Sequence, residues 1–166
     1  MLPRLKRLDR IFGFAPTYFV TACTYDRHEL LANAAVHQAF IRFSERASGR
    51  GVFVGIYILM PDHLHLFVTF DPASDMTLGP WVKSLKNALS KAIRDNGLEA
   101  PHWQKGFFDH VLRSEESAVE KWTYVQANAV RAGLVPRECD WPYVGDFALE
   151  NRQLSDSAPT GPARSK

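Results

Sequence analysis

The chain has 166 residues, with 20 Lys and Arg against 18 Asp and Glu and a formal net charge of +2. That length suits one domain with a core of about four strands and three helices. A hydrophobic fraction of 46% and an aromatic fraction of 12% exclude a wholly disordered chain. The near-neutral charge names no partner, so a nucleic-acid surface would have to come from local clustering of basic residues. Two cysteines alone, Cys23 and Cys139, exclude a disulfide framework and a CxxC-type zinc site and fit a reducing compartment. No apolar run approaches the roughly 18–20 residues of a membrane span. The first residues carry charge with no apolar stretch after them, unlike a signal peptide. A soluble, cytoplasmic protein without a membrane partner is expected.

Residues 1–10 hold Arg4, Lys6, Arg7 and Arg10 against Asp9 alone, a basic N-terminal segment. Residues 17–24 (TYFVTACT) are β-branched and aromatic, a strand. Residues 32–48 carry Ala35, Val36, Ala39, Phe40 and Phe43 at helical spacing. Two strands follow, 52–59 (VFVGIYIL) and 63–70 (HLHLFVTF), joined by Met60-Pro61-Asp62 as a hairpin turn. Residues 77–95 form a second helix with Leu78, Trp81, Val82, Leu85, Leu89, Ala92 and Ile93 on one face. Residues 107–113 (FFDHVLR) form a fourth strand. A third helix is expected over 115–132, with Ser114 as N-cap and Gly133 and Pro136 as its stop. Residues 151–166 are rich in Ser, Pro, Ala and Gly and read as a mobile tail. The folded domain is thus 11–150. Its order, βαββαβ with an additional C-terminal helix, defines an α+β ferredoxin-like sandwich. Such a fold says nothing of function by itself.

His63 and His65 are two apart on a strand, so both imidazoles project from one face while Leu64 points to the other. Two neutral imidazoles side by side are half of a divalent-metal site. Alone, the pair equally describes two histidines on a half-exposed strand. On the third helix Ala118, Trp122, Val125 and Ala129 share a narrow apolar arc. Tyr124 falls nearly opposite, and Asn128 sits one turn above it. A tyrosine so placed is either a surface residue or a chemical group. A phenol, with a pKa near 10, is a poor nucleophile at neutral pH. It can attack phosphorus where a metal polarises the phosphate. Asn128 could add an oxygen ligand to a metal on the histidines.

Four segments come in the order of a known family: Tyr18-Phe-Val-Thr-Ala-Cys-Thr, Leu59-Met-Pro-Asp-His-Leu-His-Leu, Trp103-Gln-Lys-Gly-Phe-Phe-Asp-His-Val-Leu-Arg and Tyr124-Val-Gln-Ala-Asn-Ala-Val-Arg-Ala-Gly-Leu-Val. They resemble the REP-associated tyrosine transposases, bacterial relatives of the single-tyrosine insertion-sequence transposases among the HUH (His-hydrophobic-His) endonucleases. The resemblance spans about 18–147. It implies the HUH form of the ferredoxin-like fold. It also implies cleavage and rejoining of single-stranded DNA through a 5′-phosphotyrosine link, at a repetitive extragenic palindrome (REP) hairpin. By position it implies His63 and His65 as ligands of Mg²⁺ or Mn²⁺, Asn128 as the helix ligand and Tyr124 as nucleophile.

Two positions depart from the family. Ala129 stands where Asn-Pro-Val-Arg-Ala is common, and loss of that proline predicts a helix that runs on without a kink. Asp62 stands where Asn often precedes the first histidine. Its carboxylate either supports the metal or a histidine or serves only the turn.

The DNA path expected from charge is Arg4, Lys6, Arg7 and Arg10, then Lys83, Lys86, Lys91 and Arg94 on the second helix, then Arg131 beside Asn128. Without the motifs the lysines would read equally as a solvated helix face. Trp103, Phe107 and Phe108 are candidates to stack bases or to fill the core, whereas Trp81 and Trp122 belong to apolar helix faces. Two rivals to a transposase and endonuclease remain. One is a domesticated hairpin-DNA binder without turnover. The other is a metal phosphodiesterase that activates water. Monomer and homodimer are both open.

Overall fold

The computed structural model describes residues 15–113 and 115–147. The basic segment 1–10, the N-cap expected at Ser114 and the tail 151–166 lie outside the described residues.

The elements follow the alternation of period 2 and period 3.6 in the sequence. They are β1 (Thr17–Cys23), α1 (Ala34–Ser48), β2 (Val52–Leu59), β3 (His63–Phe70), α2 (Leu78–Asp95), β4 (Phe108–Leu112), α3 (Glu115–Gln126), α4 (Asn128–Arg131) and β5 (Val144–Asp146). Short 3₁₀ turns occupy Tyr25–Arg27 and Glu138–Asp140. α1 starts two residues later than its periodicity suggests because Asn33 caps it, its side chain accepting from the Val36 N–H at 3.0 Å. The sheet order is β4-β1-β3-β2-β5, with every pair antiparallel. The first four strands reproduce the ferredoxin-like arrangement, and β5 adds an edge strand beside β2.

Strand alternation separates two faces. Val20 and Ala22 of β1, with Leu64, Leu66 and Val68 of β3, are buried against Val36 and Phe40 of α1 and Trp81, Leu85, Leu89 and Ile93 of α2. That is the main core. Phe67 on the opposite face packs with Leu112 of β4 and Ala118 of α3. Ile58 packs there with Val125, Ala129 and Trp141. His63 and His65 alternate with Leu64 and Leu66 and therefore share the α3–α4 side.

Two expectations are corrected. The third helix does not run unbroken over 115–132: it stops at Gln126, and Ala127 (φ −72°, ψ −6°) separates it from α4. The helix is therefore interrupted without proline. Val125 and Ala129, on either side of the break, are both buried against Ile58, Met60 and Trp141, so tertiary packing holds the two pieces. The expected stop is present. Gly133 takes φ +70°, the Gly133 N–H donates to Val130 O and the Leu134 N–H to Ala129 O, a Schellman closure. The second correction is β5, absent from the periodicity reading because three residues carry no alternation signal.

Candidate active site

The two histidines stand on β3 with ring centroids 4.9 Å apart and planes at 78°. Each Nδ1 has its own partner. His65 Nδ1 is 2.7 Å from Thr21 Oγ1, and the two residues are directly opposed in the β1–β3 register. His63 Nδ1 is 2.7 Å from Asp62 Oδ1. With both Nδ1 atoms engaged, the Nε2 atoms are the positions left for a ligand. The ring of Phe19 stacks on His65 at 5.2 Å and 18°. Burial, and then the charges of His63, Arg27 and Lys121, push His65 down from its ordinary 6.5 to about 3. Its ring is therefore neutral at physiological pH, the form a metal requires.

Tyr124 lies on the exposed side of α3, with two thirds of its surface accessible (66%). It shares a cleft of about 270 Å³ with Phe19, His65, Glu120, Lys121 and Val125. The nucleophile candidate and a metal-ligand candidate thus open onto one space. Lys121 Nζ lies 5.3 Å from the Phe19 ring centre and brings a positive charge into that cleft.

Asn128 opens α4, just beyond the break, and is half-buried. Its side-chain oxygen accepts a hydrogen bond from Arg131 Nη2. The Arg131 guanidinium also lies 4.0 Å from the centre of the Tyr124 ring. Arg131 thus ties the two helix residues of the constellation together across the break. Among the described residues no group of three or more His, Cys, Asp or Glu could hold a metal ion. Two imidazoles with free Nε2 atoms do fit a divalent cation, and the third protein donor would have to be a neutral oxygen such as that of Asn128.

The basic residues of α2 are not gathered at this cleft. α2 packs on the opposite face of the sheet, so Lys83, Lys86, Lys91 and Arg94 lie across it from the histidines. Lys91 is paired with Asp95 at 2.7 Å. The Lys86 ammonium donates to Gln104 O at 3.1 Å and to Gly106 O and lies over the Trp103 ring, and burial lowers its pKa. Trp103 is half-buried, its indole N–H donating to Ser90 Oγ at 3.0 Å. Phe107 packs against the main core, while Phe108 is 69% exposed on β4. Trp81 is buried and Trp122 packs beneath α3, as their helix faces suggest.

Sequence reasoning missed Thr21, Phe19 and Arg27. Thr21 and Phe19 become visible only through the strand register. Glu120 and Lys121 were legible as polar residues within one turn of Tyr124, but not as lining for a cleft with His65.

The sequence matches a family of transposases, and the fold matches solved structures so described. Residues 14–128 fit the family model described as "Transposase IS200 like", and the chain belongs to that family. Within it the likeness extends to REP-associated tyrosine transposases. A Haemophilus influenzae protein provisionally given that name is 22% identical over 149 residues, covering 84% of each chain. A solved structure described as a REP-associated tyrosine transposase bound to a REP hairpin superposes with a TM-score of 0.61 at 21% identity, covering 90% of this chain and 86% of the other. A Deinococcus radiodurans protein provisionally named a transposase gives 0.52 at 20% identity, over 68% of this chain and 90% of that one. No helix among the described residues is long and apolar enough to cross a membrane.

Proposed function

We propose that the protein cleaves and rejoins single-stranded DNA at REP-like hairpins, with Tyr124 as nucleophile and a divalent cation, Mg²⁺ or Mn²⁺, held by His63, His65 and Asn128. The observation that carries this reading is the common cleft of Tyr124 and His65.

The cation, when bound, supplies Lewis-acid polarisation of the scissile phosphate. The chain supplies the rest. Thr21 and Asp62 hold the Nδ1 side of each ring, leaving Nε2 free. Lys121 places a cation beside the phosphate's path into the cleft. Arg131 donates to the Asn128 oxygen, whose second lone pair remains for a cation, and its guanidinium is also a natural partner for a DNA phosphate.

Tyr124 Oη then attacks phosphorus and its proton leaves to solvent. The P–O3′ bond breaks and the departing oxygen takes up a proton as a 3′-hydroxyl. The phosphodiester persists as a 5′-phosphotyrosine. A 3′-hydroxyl attacking that phosphorus reverses the step and restores Tyr124, so no external energy source is needed.

The test is a labelled REP-like hairpin DNA incubated with Mg²⁺ or Mn²⁺. Wild type should give a protein–DNA adduct stable to denaturation, and Tyr124→Phe should lose it with a cleavage drop of about 10³-fold or more. Equal cleavage by Tyr124→Phe without an adduct would mean that water is the nucleophile. Binding that ignores both metal and His63→Ala, with no cleavage, would mean a hairpin binder without turnover.

A further inference from the structure

Arg27 stands outside the His-Tyr-Asn constellation, yet the chain takes an unusual course to place it. After β1 the 3₁₀ turn Tyr25–Arg27 puts two successive non-glycine residues in the left-handed region, Asp26 at φ 51° and Arg27 at φ 57°. Such residues carry a conformational cost and persist where the surroundings enforce them, often at functional sites. Here the surroundings are the hairpin turn that precedes His63. The Thr24 N–H donates to Asp62 O at 2.9 Å, and the Leu30 and Leu31 N–H groups donate to Pro61 O at 2.9 and 3.0 Å. The Tyr25 N–H donates to His102 O at 2.9 Å. The loop after β1 and the turn between β2 and β3 are thus one fastened unit.

From that unit the Arg27 side chain makes two directed contacts. Its Nε lies 2.8 Å from Asp62 Oδ2, and its Nη1 donates to Cys23 Sγ at 2.9 Å. Cys23 is itself the register partner of His63. The other Asp62 oxygen, Oδ1, lies 2.7 Å from His63 Nδ1. An exposed Arg–Asp pair ordinarily contributes little. This one is a link in a chain, guanidinium to carboxylate to imidazole, and the middle group has both oxygens assigned.

We propose that Arg27 is a positioning residue for His63. By holding Oδ2 it aims Oδ1 at the imidazole, fixes the Nδ1–H tautomer and leaves the Nε2 lone pair for a cation. It also keeps Asp62 from swinging in as a ligand itself. The inference rests on His63 being a metal ligand as far as affinity is concerned. The tautomer is independent of any metal.

The discriminating variant is Arg27→Gly, because glycine accepts the positive φ and the turn should form at least as well. Three quantities are read on the full chain: the thermal midpoint, the His63 tautomer by ¹⁵N-detected imidazole NMR in EDTA, and Mn²⁺ affinity by calorimetry. Wild type should show His63 protonated at Nδ1. Arg27→Gly should keep or raise the midpoint, mix the tautomers and weaken Mn²⁺ binding about 10-fold. Asp62→Ala should do the same more strongly, within the roughly 10–100-fold range of such supporting residues. If Arg27→Gly leaves tautomer and affinity at wild-type values, Arg27 serves the turn alone and the proposal is wrong. If wild type binds no Mn²⁺, the metal reading fails, and the tautomer in the two variants still decides the role of Arg27.

Discussion

Thr21 Oγ1 lies 2.7 Å from His65 Nδ1, across directly opposed positions of β1 and β3. A hydroxyl is the smallest group that can meet an imidazole at that spacing, and the rigid ladder leaves neither partner room to drift. Thr21→Val keeps the β-branched shape and removes the partner of Nδ1. We expect Mn²⁺ affinity to fall by about 10-fold with the fold intact, and Thr21→Ser to retain most of it. Titration of each variant with Mn²⁺ checks this, and an unchanged affinity in Thr21→Val would contradict it.

Lys121 projects over Phe19 in the cleft that holds Tyr124. If it meets a phosphate there, Lys121→Gln should weaken hairpin-DNA binding and lower the slope of log affinity against log salt by about 1. Lys91→Gln, on the far face and paired with Asp95, should change that slope less. Fluorescence anisotropy at several salt concentrations compares them, and equal slopes in the two variants would count against a phosphate at Lys121.

The neutral state of His65 makes a statement about acid stability. Its value in the folded protein, about 3, is below the ordinary 6.5. As pH falls through 6.5 the unfolded chain takes up a proton that the folded one refuses. Stability is therefore complete above pH 6.5 and drains away between there and about pH 3, by roughly 1.4 kcal/mol per pH unit at most. His37, also lowered by burial, acts in the same direction. In EDTA, moving from pH 7.5 to 5.0 should cost the wild type about 2 kcal/mol through His65, measured by urea unfolding. His65→Gln should lose clearly less over the same interval; a matching loss would show that His65 is not the group responsible.

Gly145 of β5 faces Tyr57 of β2, and a Cβ there would come within 2.6 Å of the tyrosine hydroxyl. That hydroxyl is 2.9 Å from His37 Nε2, so the ring is not free to move aside without cost. Gly145→Ala should destabilise the protein by about 1–3 kcal/mol through overpacking. Tyr57→Phe in the same background should recover part of it. Denaturant midpoints of the two variants decide, and an unaltered midpoint for Gly145→Ala would show that β5 can shift outward freely.

Much of this protein is written locally. The alternation His-Leu-His-Leu puts both imidazoles on one face whatever the fold. The i, i+4 spacing of Tyr124 and Asn128 sets them one turn apart, and the apolar rows of α1 and α2 mark their buried sides. These are periodic properties, and a period is a property of the chain alone. Three features are not periodic. The partnership of Thr21 with His65 depends on register, which is set by how two distant strands pack their apolar faces. The interruption at Ala127 lies between Val125 and Ala129, which both pack with Ile58, Met60 and Trp141 from other parts of the chain.

The placement of α2 is the third. Its lysines belong to the DNA path expected from charge, but Leu85, Leu89 and Ile93 dock it against Leu64 and Leu66, the residues that alternate with the histidines. The same alternation that exposes His63 and His65 on one side thus sends α2 to the other. The identities of the candidate groups were determined by sequence; their company, from Arg27 at Asp62 to Lys121 at Phe19, was decided by long-range packing, because only the folded chain brings residues tens of positions apart into contact.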